Sequence, residues 1–309
     1  MKIGIISNSD YFIPLAGILA AQRAQVSLFY SPSPDTFINQ KVKTFVQQLR
    51  IPFTEEKDRK KDLYEWINEH RFNVCFMIGY SYLIKLDRIR NAPTQLFNIH
   101  FGPLPTFRGP IPVFWQLKAG KKEIGLAIHI VNEKFDKGRI VWLKQIPNLP
   151  HYNFSSVIQL FSQLCIEGVF AILQKLLDGT PLLEIDRKDT VLSYHKRPVL
   201  KDVSIDWEKM TAGEICNLVR ACNPWNKGAI TFFNNREVKI MDARIAHIPV
   251  KDSTELPGTI LEVDDKFLVT CCDKKILEIS MLYYQDAYYP AYQLNKLGFS
   301  KGNRFGKFH

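Results

Sequence analysis

The chain is poor in cysteine, and its six cysteines (Cys75, Cys165, Cys216, Cys222, Cys271 and Cys272) form no C-x-x-C pair and have no histidine at metal-ligand spacing. Most sit in apolar runs, as reduced core cysteines do. Adjacent Cys271 and Cys272 would point to opposite faces if they lie on a strand, which disfavours a shared ion. The expectation is no structural metal and no disulfide. No G-x-G-x-x-G follows the first apolar strand, which disfavours a nicotinamide dinucleotide. No internal repeat or low-complexity segment stands out. The sequence Met1–Ser7 runs straight into an apolar strand without the hydrophobic region and cleavage site of a signal peptide. On this reading no stretch approaches membrane-spanning length, so the chain is expected to be soluble and cytoplasmic, with no membrane partner.

What is present is an ordinary globular composition: 309 residues, 46% hydrophobic and 23% charged, enough for two domains with a sizeable core. A net charge of +10 favours anionic partners, whether a polyanionic cofactor, a nucleotide-linked substrate or a nucleic acid, and does not rank them. The densest basic segments, Lys57–Lys61, Lys118–Lys122 and Lys301–Lys307, are interrupted by acids or neutral residues and read as solvated faces.

The first half alternates apolar strands with amphipathic helices: strands over Lys2–Ser7, Gln25–Tyr30 and Asn73–Ile78, and helices over Ile13–Gln22, Thr36–Arg50 and Asp62–Glu69. Such alternation predicts an α/β domain with a mainly parallel, Rossmann-like sheet and helices on both faces. Ligands of such sheets bind beyond the carboxyl ends of strands, where strand order reverses. Asn8-Ser9-Asp10 and Gly79-Tyr80-Ser81 would border that crevice, making Asn8 and Ser9 candidate substrate contacts. Ser155–Leu177 has apolar residues at helical spacing and reads as a core helix across the sheet. Tyr194–Pro198 reads as a linker. After a helix over Thr211–Ala221 come short strands with turns at Asn234-Asn235 and Asp264-Asp265, a small, mainly β, barrel-like domain. The expected division is residues 1–190 and 203–309.

The most informative stretch begins at residues 94–100. Asn98 and His100, two apart on a strand, project from one face. The following segment carries Pro103, Pro105, Gly109, Pro110 and Pro112 and must form a constrained loop. Gly125–Val131 reads as another buried strand, ending in a turn able to return Asp136 to the same place. Singly, these residues read as a capping amide, a half-buried imidazole and a turn carboxylate. In this order they supply what transfer through a charged tetrahedral intermediate requires. Arg108 reads equally as an anion contact and as a donor closing the proline-rich loop. Phe114 and Trp115 read as helix core rather than a stacking platform.

At Asn98-Ile99-His100, Leu104-Pro105-Thr106-Phe107-Arg108-Gly109 and Asp136-Lys137-Gly138 the sequence resembles the folate-dependent formyltransferases. The resemblance extends to Ile205-Asp206-Trp207, Leu218–Trp225 and Pro257-Gly258-Thr259, which look like the C-terminal domain of methionyl-tRNA formyltransferases, and covers nearly the whole chain. It implies 10-formyltetrahydrofolate as formyl donor and a primary amine as acceptor. By residue matching, Asn98, His100 and Asp136 are the catalytic triad. The pterin is expected against Ile78, Gly79, Tyr80 and Leu83 and beside Leu104 and Pro105, with Asn8, Ser9 and Arg108 toward the substrate. A protonated His100 is expected to stabilise the oxyanion with Asn98, and Asp136 to orient it. Two departures stand out. Gly102-Pro103-Leu104-Pro105 replaces the usual Ser-Leu-Leu-Pro. The basic, Gly-containing insertion that engages tRNA is replaced by the short Ser31–Asn39 segment without a basic cluster. A small amine, either a nucleotide-linked amino sugar or a biosynthetic amine, is therefore the favoured acceptor. Methionyl-tRNA, hydrolysis of the donor and a catalytically silent binding protein are the alternatives, and a homodimer is left open.

Overall fold

The apolar run Lys2–Ser7 forms the first strand (β1), buried at every position but its first. Such unbroken burial is expected of a parallel strand covered on both faces. It leads into a helix over Ile13–Ala21 (α1), which carries Pro14 in its first turn, where the missing N–H costs nothing. Strand Gln25–Tyr30 (β2) is followed by Thr36–Gln48 (α2), capped by Asp35, whose side chain accepts from Phe37 N at 2.9 Å. Phe53–Glu55 (β3), Asp62–His70 (α3), Val74–Ile78 (β4), Gln95–His100 (β5), Pro112–Lys118 (α4), Glu123–Ile130 (β6), Ile140–Pro147 (β7) and Phe154–Leu177 (α5) complete this part of the chain. The computed structural model describes residues 1–90, 94–187, 192–247 and 255–306. The expected domain limit at residues 189–190 and Lys307 of the basic tail lie outside them.

The chain forms two compact units, each discontinuous in sequence where contiguous domains were expected: Met1–Pro112, Ile124–Ile146 and Ile158–His195 in one, Val113–Glu123, Pro147–Val157 and Lys196–His309 in the other. The first is built on a seven-stranded sheet of order β3-β2-β1-β4-β5-β6-β7. Strands β1 to β5 pair in parallel, and β6 runs antiparallel to β5 with Asn98 opposite His129 and His100 opposite Ala127. Strand order reverses between β1 and β4. There the loops after the two strands meet, Asn8 Nδ2 donating to Ser81 Oγ at 3.0 Å.

Among the described residues, α5 is long and apolar enough to cross a membrane, with 24 residues and a mean hydropathy of 1.7. This corrects the expectation that no stretch approaches that length. Its core role is nevertheless visible: Phe161 meets Phe101 edge to face, and Gly168 admits the Trp142 ring of β7 and Ile128 of β6. Helix α5 thus lays an apolar face on the sheet, as the helical spacing predicts.

In the second unit, α4 buries Phe114 against Trp115 and Trp225. A short helix, Leu200–Val203 (α6), precedes Ala212–Cys222 (α7), which begins with a Thr211–Glu214 capping box. Strands Ala229–Phe233 (β8), Arg236–Ile245 (β9), Ile260–Glu262 (β10), Phe267–Thr270 (β11), Ile276–Tyr284 (β12) and Ala287–Pro290 (β13) form one sheet of order β10-β11-β12-β9-β8, with β13 on β12. Asn234 and Asn235 both take positive φ in the β8–β9 turn, the backbone a two-residue hairpin requires. The closing segment bridges both edges, Gly306 to Phe232 and Arg304 to Thr259, so the sheet is barrel-like. Phe305 of that segment stacks on Trp207 and meets Phe233, Phe267 and Phe299 inside.

Candidate active site

Four side chains converge near the end of β5. Asn98 and His100 project together from that strand, His129 faces Asn98 from β6, and a turn after β6 returns Asp136, at φ +51°, to the same point. Their short contacts fix orientation. His129 Nδ1 lies 3.0 Å from Ile130 O, a pure acceptor, so it carries the proton and leaves Nε2 to accept from Asn98 Nδ2 at 3.0 Å. His100 Nε2 donates to Phe107 O at 2.9 Å by the same reasoning. Gly109 N donates to Asp136 Oδ2 at 3.0 Å.

The longer contacts share one atom, Oδ1 of Asp136, which lies 3.4 Å from Asn98 Nδ2, 3.4 Å from His100 Nδ1 and 3.6 Å from His129 Nε2. Gly109 can serve here because its φ is +114° and because a Cβ would fall 2.0 Å from His195 O.

Burial raises the pKa of Asp136, but His100, His129 and the Gly109 N–H together outweigh it and bring the carboxyl down to about 2, so it is ionised. Burial lowers His100 more than Asp136 and the Phe107 carbonyl raise it. The resting imidazole is therefore neutral, protonated on Nε2 with Nδ1 toward the carboxylate. Burial has this effect because the ring is only 6% exposed.

Ile78 is buried at the end of β4, its carbonyl accepting from Ser7 Oγ at 2.6 Å, and Gly79 follows at φ +73°. Tyr80 is turned to Glu56, donating to Oε1 at 2.8 Å, while Leu83 is 42% exposed and presents an open apolar surface. Asn8 ties its loop to Ser81. Ser9 is buried, with its hydroxyl 3.3 Å from Ser7 Oγ. Leu104 is packed with Ala127 and Ile140, and its carbonyl accepts from Arg187 at 3.2 Å; Pro105, half-buried, is the exposed member of that pair. Arg108 closes the loop, its Nε donating to Ser193 O at 3.3 Å. His129 is the participant that sequence reasoning missed. Its only signal is being the one polar residue in the apolar run of β6, and its meaning needs the β5–β6 register.

A doubly wound sheet that holds an amide, two imidazoles and an ionised carboxylate beside a strand end has the form of an enzyme acting through a charged intermediate. The profile of the formyl transferase family matches residues 5–170, and that of the formyl transferase C-terminal domain matches residues 200–286. The bifunctional polymyxin resistance protein ArnA of Wigglesworthia glossinidia brevipalpis is 30% identical over 226 residues, 72% of this chain; the match spans only 33% of that longer protein. The methionyl-tRNA formyltransferase of Ruminiclostridium cellulolyticum is 29% identical over 223 residues, 72% of this chain and 70% of its own. Among solved structures, the sugar 3-N-formyltransferase WlaRD, determined in the presence of dTDP and 5-N-formyl-tetrahydrofolate, shares the fold with a TM-score of 0.70 at 18% identity, over 90% of this chain and 97% of that one. The chain belongs to the folate-dependent formyltransferase family.

Proposed function

We propose that the protein moves the formyl group of 10-formyltetrahydrofolate to a primary amine of a small molecule, either a nucleotide-linked amino sugar or a biosynthetic amine. The observation that carries this reading is the convergence of Asn98 and His100 on the ionised Asp136. The folate would lie against Gly79, Leu83 and Pro105, which border the same strand ends, with Ile78, Tyr80 and Leu104 supporting those loops from within. Asn8 and Ser9 flank the switch point on the acceptor side, while Arg108 holds the loop that delivers Phe107 O and Gly109 N.

In the reaction the neutral amine attacks the formyl carbon, and negative charge gathers on the formyl oxygen. Asn98 supports this step: its Nδ2–H is held to Asp136 by a long contact and turns readily to a stronger acceptor. The amine proton passes to His100 Nδ1, and the imidazolium so formed is paired with Asp136. As the intermediate collapses, the bond from the formyl carbon to the donor nitrogen breaks, and His100 returns the proton to that nitrogen.

The small acceptor is supported by the link between β2 and α2, residues 31–35. It is Ser-Pro-Ser-Pro-Asp, folded tightly by Asn39, whose Oδ1 accepts from Tyr30 OH and Ser33 N, both at 2.8 Å. The likeness to WlaRD adds support for a sugar nucleotide. Methionyl-tRNA is the second reading, favoured by the relative at 29% identity and the net charge of +10. The test presents donor and protein with nucleotide-linked amino sugars, small amines or methionyl-tRNA in parallel and follows formyl transfer by mass spectrometry. A formylated small amine with untouched tRNA is expected. Formylated tRNA alone overturns the acceptor assignment, and formate released without any amine replaces transfer by hydrolysis.

A further inference from the structure

The first unit holds a cavity of about 640 Å³ away from the catalytic cluster, at the amino end of β5, the end opposite His100. That volume lies in the range of small-molecule sites, roughly 300–1,000 Å³. Its apolar wall includes Leu86, Ile89, Val131 and Leu176, and its charged lining is Arg139 and Lys175. Among the described residues no acidic side chain lines it, and neither cation has an ion-pair partner. Two unpaired cations and an apolar wall match one ligand chemistry: a small organic anion with an apolar body, a carboxylate or phosphate for the cations and a chain for the wall.

The cavity also shares residues with the catalytic turn. Ile130 N donates to Arg139 O at 2.9 Å, closing the turn that carries Asp136, and Ile130 O accepts from His129 Nδ1 at 3.0 Å. Ile130 and Arg139 both line the cavity. The geometry points to an effector site: an amphipathic organic anion binds here, and its occupancy is felt at Asp136 and His129. Linkage makes the coupling reciprocal, so effector and folate alter each other's affinity by the same factor.

The experiment uses the full chain with anilinonaphthalenesulfonate, an apolar anion with a fluorescent readout, as probe. Bound probe is expected to be displaced by hexyl phosphate and by hexanoate but not by hexanol; the two anions separate a phosphate from a carboxylate ligand. The double variant Arg139→Gln, Lys175→Gln is expected to bind the probe at least about tenfold more weakly while keeping the wild-type melting temperature. Saturating hexyl phosphate is expected to change the affinity for 5-formyltetrahydrofolate about fivefold or more in the wild type, and not in the double variant. Probe binding unaffected by the two substitutions, displacement by hexanol, or a folate affinity indifferent to hexyl phosphate would each overturn the effector site. These readouts are affinities, so they stand apart from whether the chain transfers a formyl group.

Discussion

Asn98 holds a proton donor between a short contact that orients it and a long one that it can give up, which is what stabilising a transient oxyanion requires. Asn98→Ala should lower kcat by about 10²–10³ with little effect on folding, as measured by steady-state kinetics beside a thermal melt. In the proposed reaction His129 would act through Asn98, as a positioning residue. His129→Leu should reduce kcat about ten- to a hundredfold with KM for the donor nearly unchanged, and His129→Asn should recover part of the loss. The same groups set the acid stability. Asp136 is brought from 3.8 to about 2 by folding, so its contribution is complete above about pH 4 and is lost as pH falls toward 2. That difference corresponds to about 2 kcal/mol. His100 is also lowered, so the unfolded chain takes up its proton first and stability starts to fall below about pH 6.5. Urea unfolding against pH should show both windows: His100→Gln removing the upper, Asp136→Asn the lower. At this scale the spacing of Asn98 and His100 was legible because side chains alternate along a strand. His129 was not, because cross-strand pairing is a property of register. Nor was the Phe107 carbonyl that fixes the His100 tautomer, since a backbone group leaves no mark in the sequence.

The two elements that build the site are a strand pair and a turn. Strands β5 and β6 run antiparallel at the far side of an otherwise parallel run, and that reversal is what sets His129 against Asn98. The turn after β6 is closed so tightly that a Cβ on Gly138 would fall 1.6 Å from Ile130 O. Gly138→Ala should therefore displace Asp136 as well as destabilise the fold, by about 2 kcal/mol or more, with kcat falling further than the melting temperature alone explains. The regular helices and strands of the first half were legible within one or two residues because their apolar periods are long: Thr36–Arg50 was expected and Thr36–Gln48 is observed. Three-residue β3 and strand β7, whose exposed face mixes polar and apolar groups, gave no such period. Helix α5 has the apolar spacing of a core helix together with the length and mean hydropathy of a spanning one, so its sequence fits both roles.

Over the whole molecule, the closing segment makes the second unit a barrel, and Phe305 fills its interior at 2% exposure. Phe305→Ala should cost about 3–5 kcal/mol by leaving a cavity among Trp207, Phe233, Phe267 and Phe299, seen as an earlier unfolding transition in calorimetry. The two-part division was legible from the change of pattern along the chain. The exchange of segments 113–123 and 147–157 into the second unit was not, because it depends on packing between stretches far apart in sequence. The proposed formyl transfer rests on one cluster, and the most direct measurement follows the isotope-labelled formyl group of 10-formyltetrahydrofolate in wild type, Asn98→Ala, His100→Ala and Asp136→Asn, with the melting temperature of each variant recorded alongside. The account predicts label in an amide product for the wild type and a loss of about 10² or more in each folded variant. Label transferred by all three variants at near wild-type rates would contradict it.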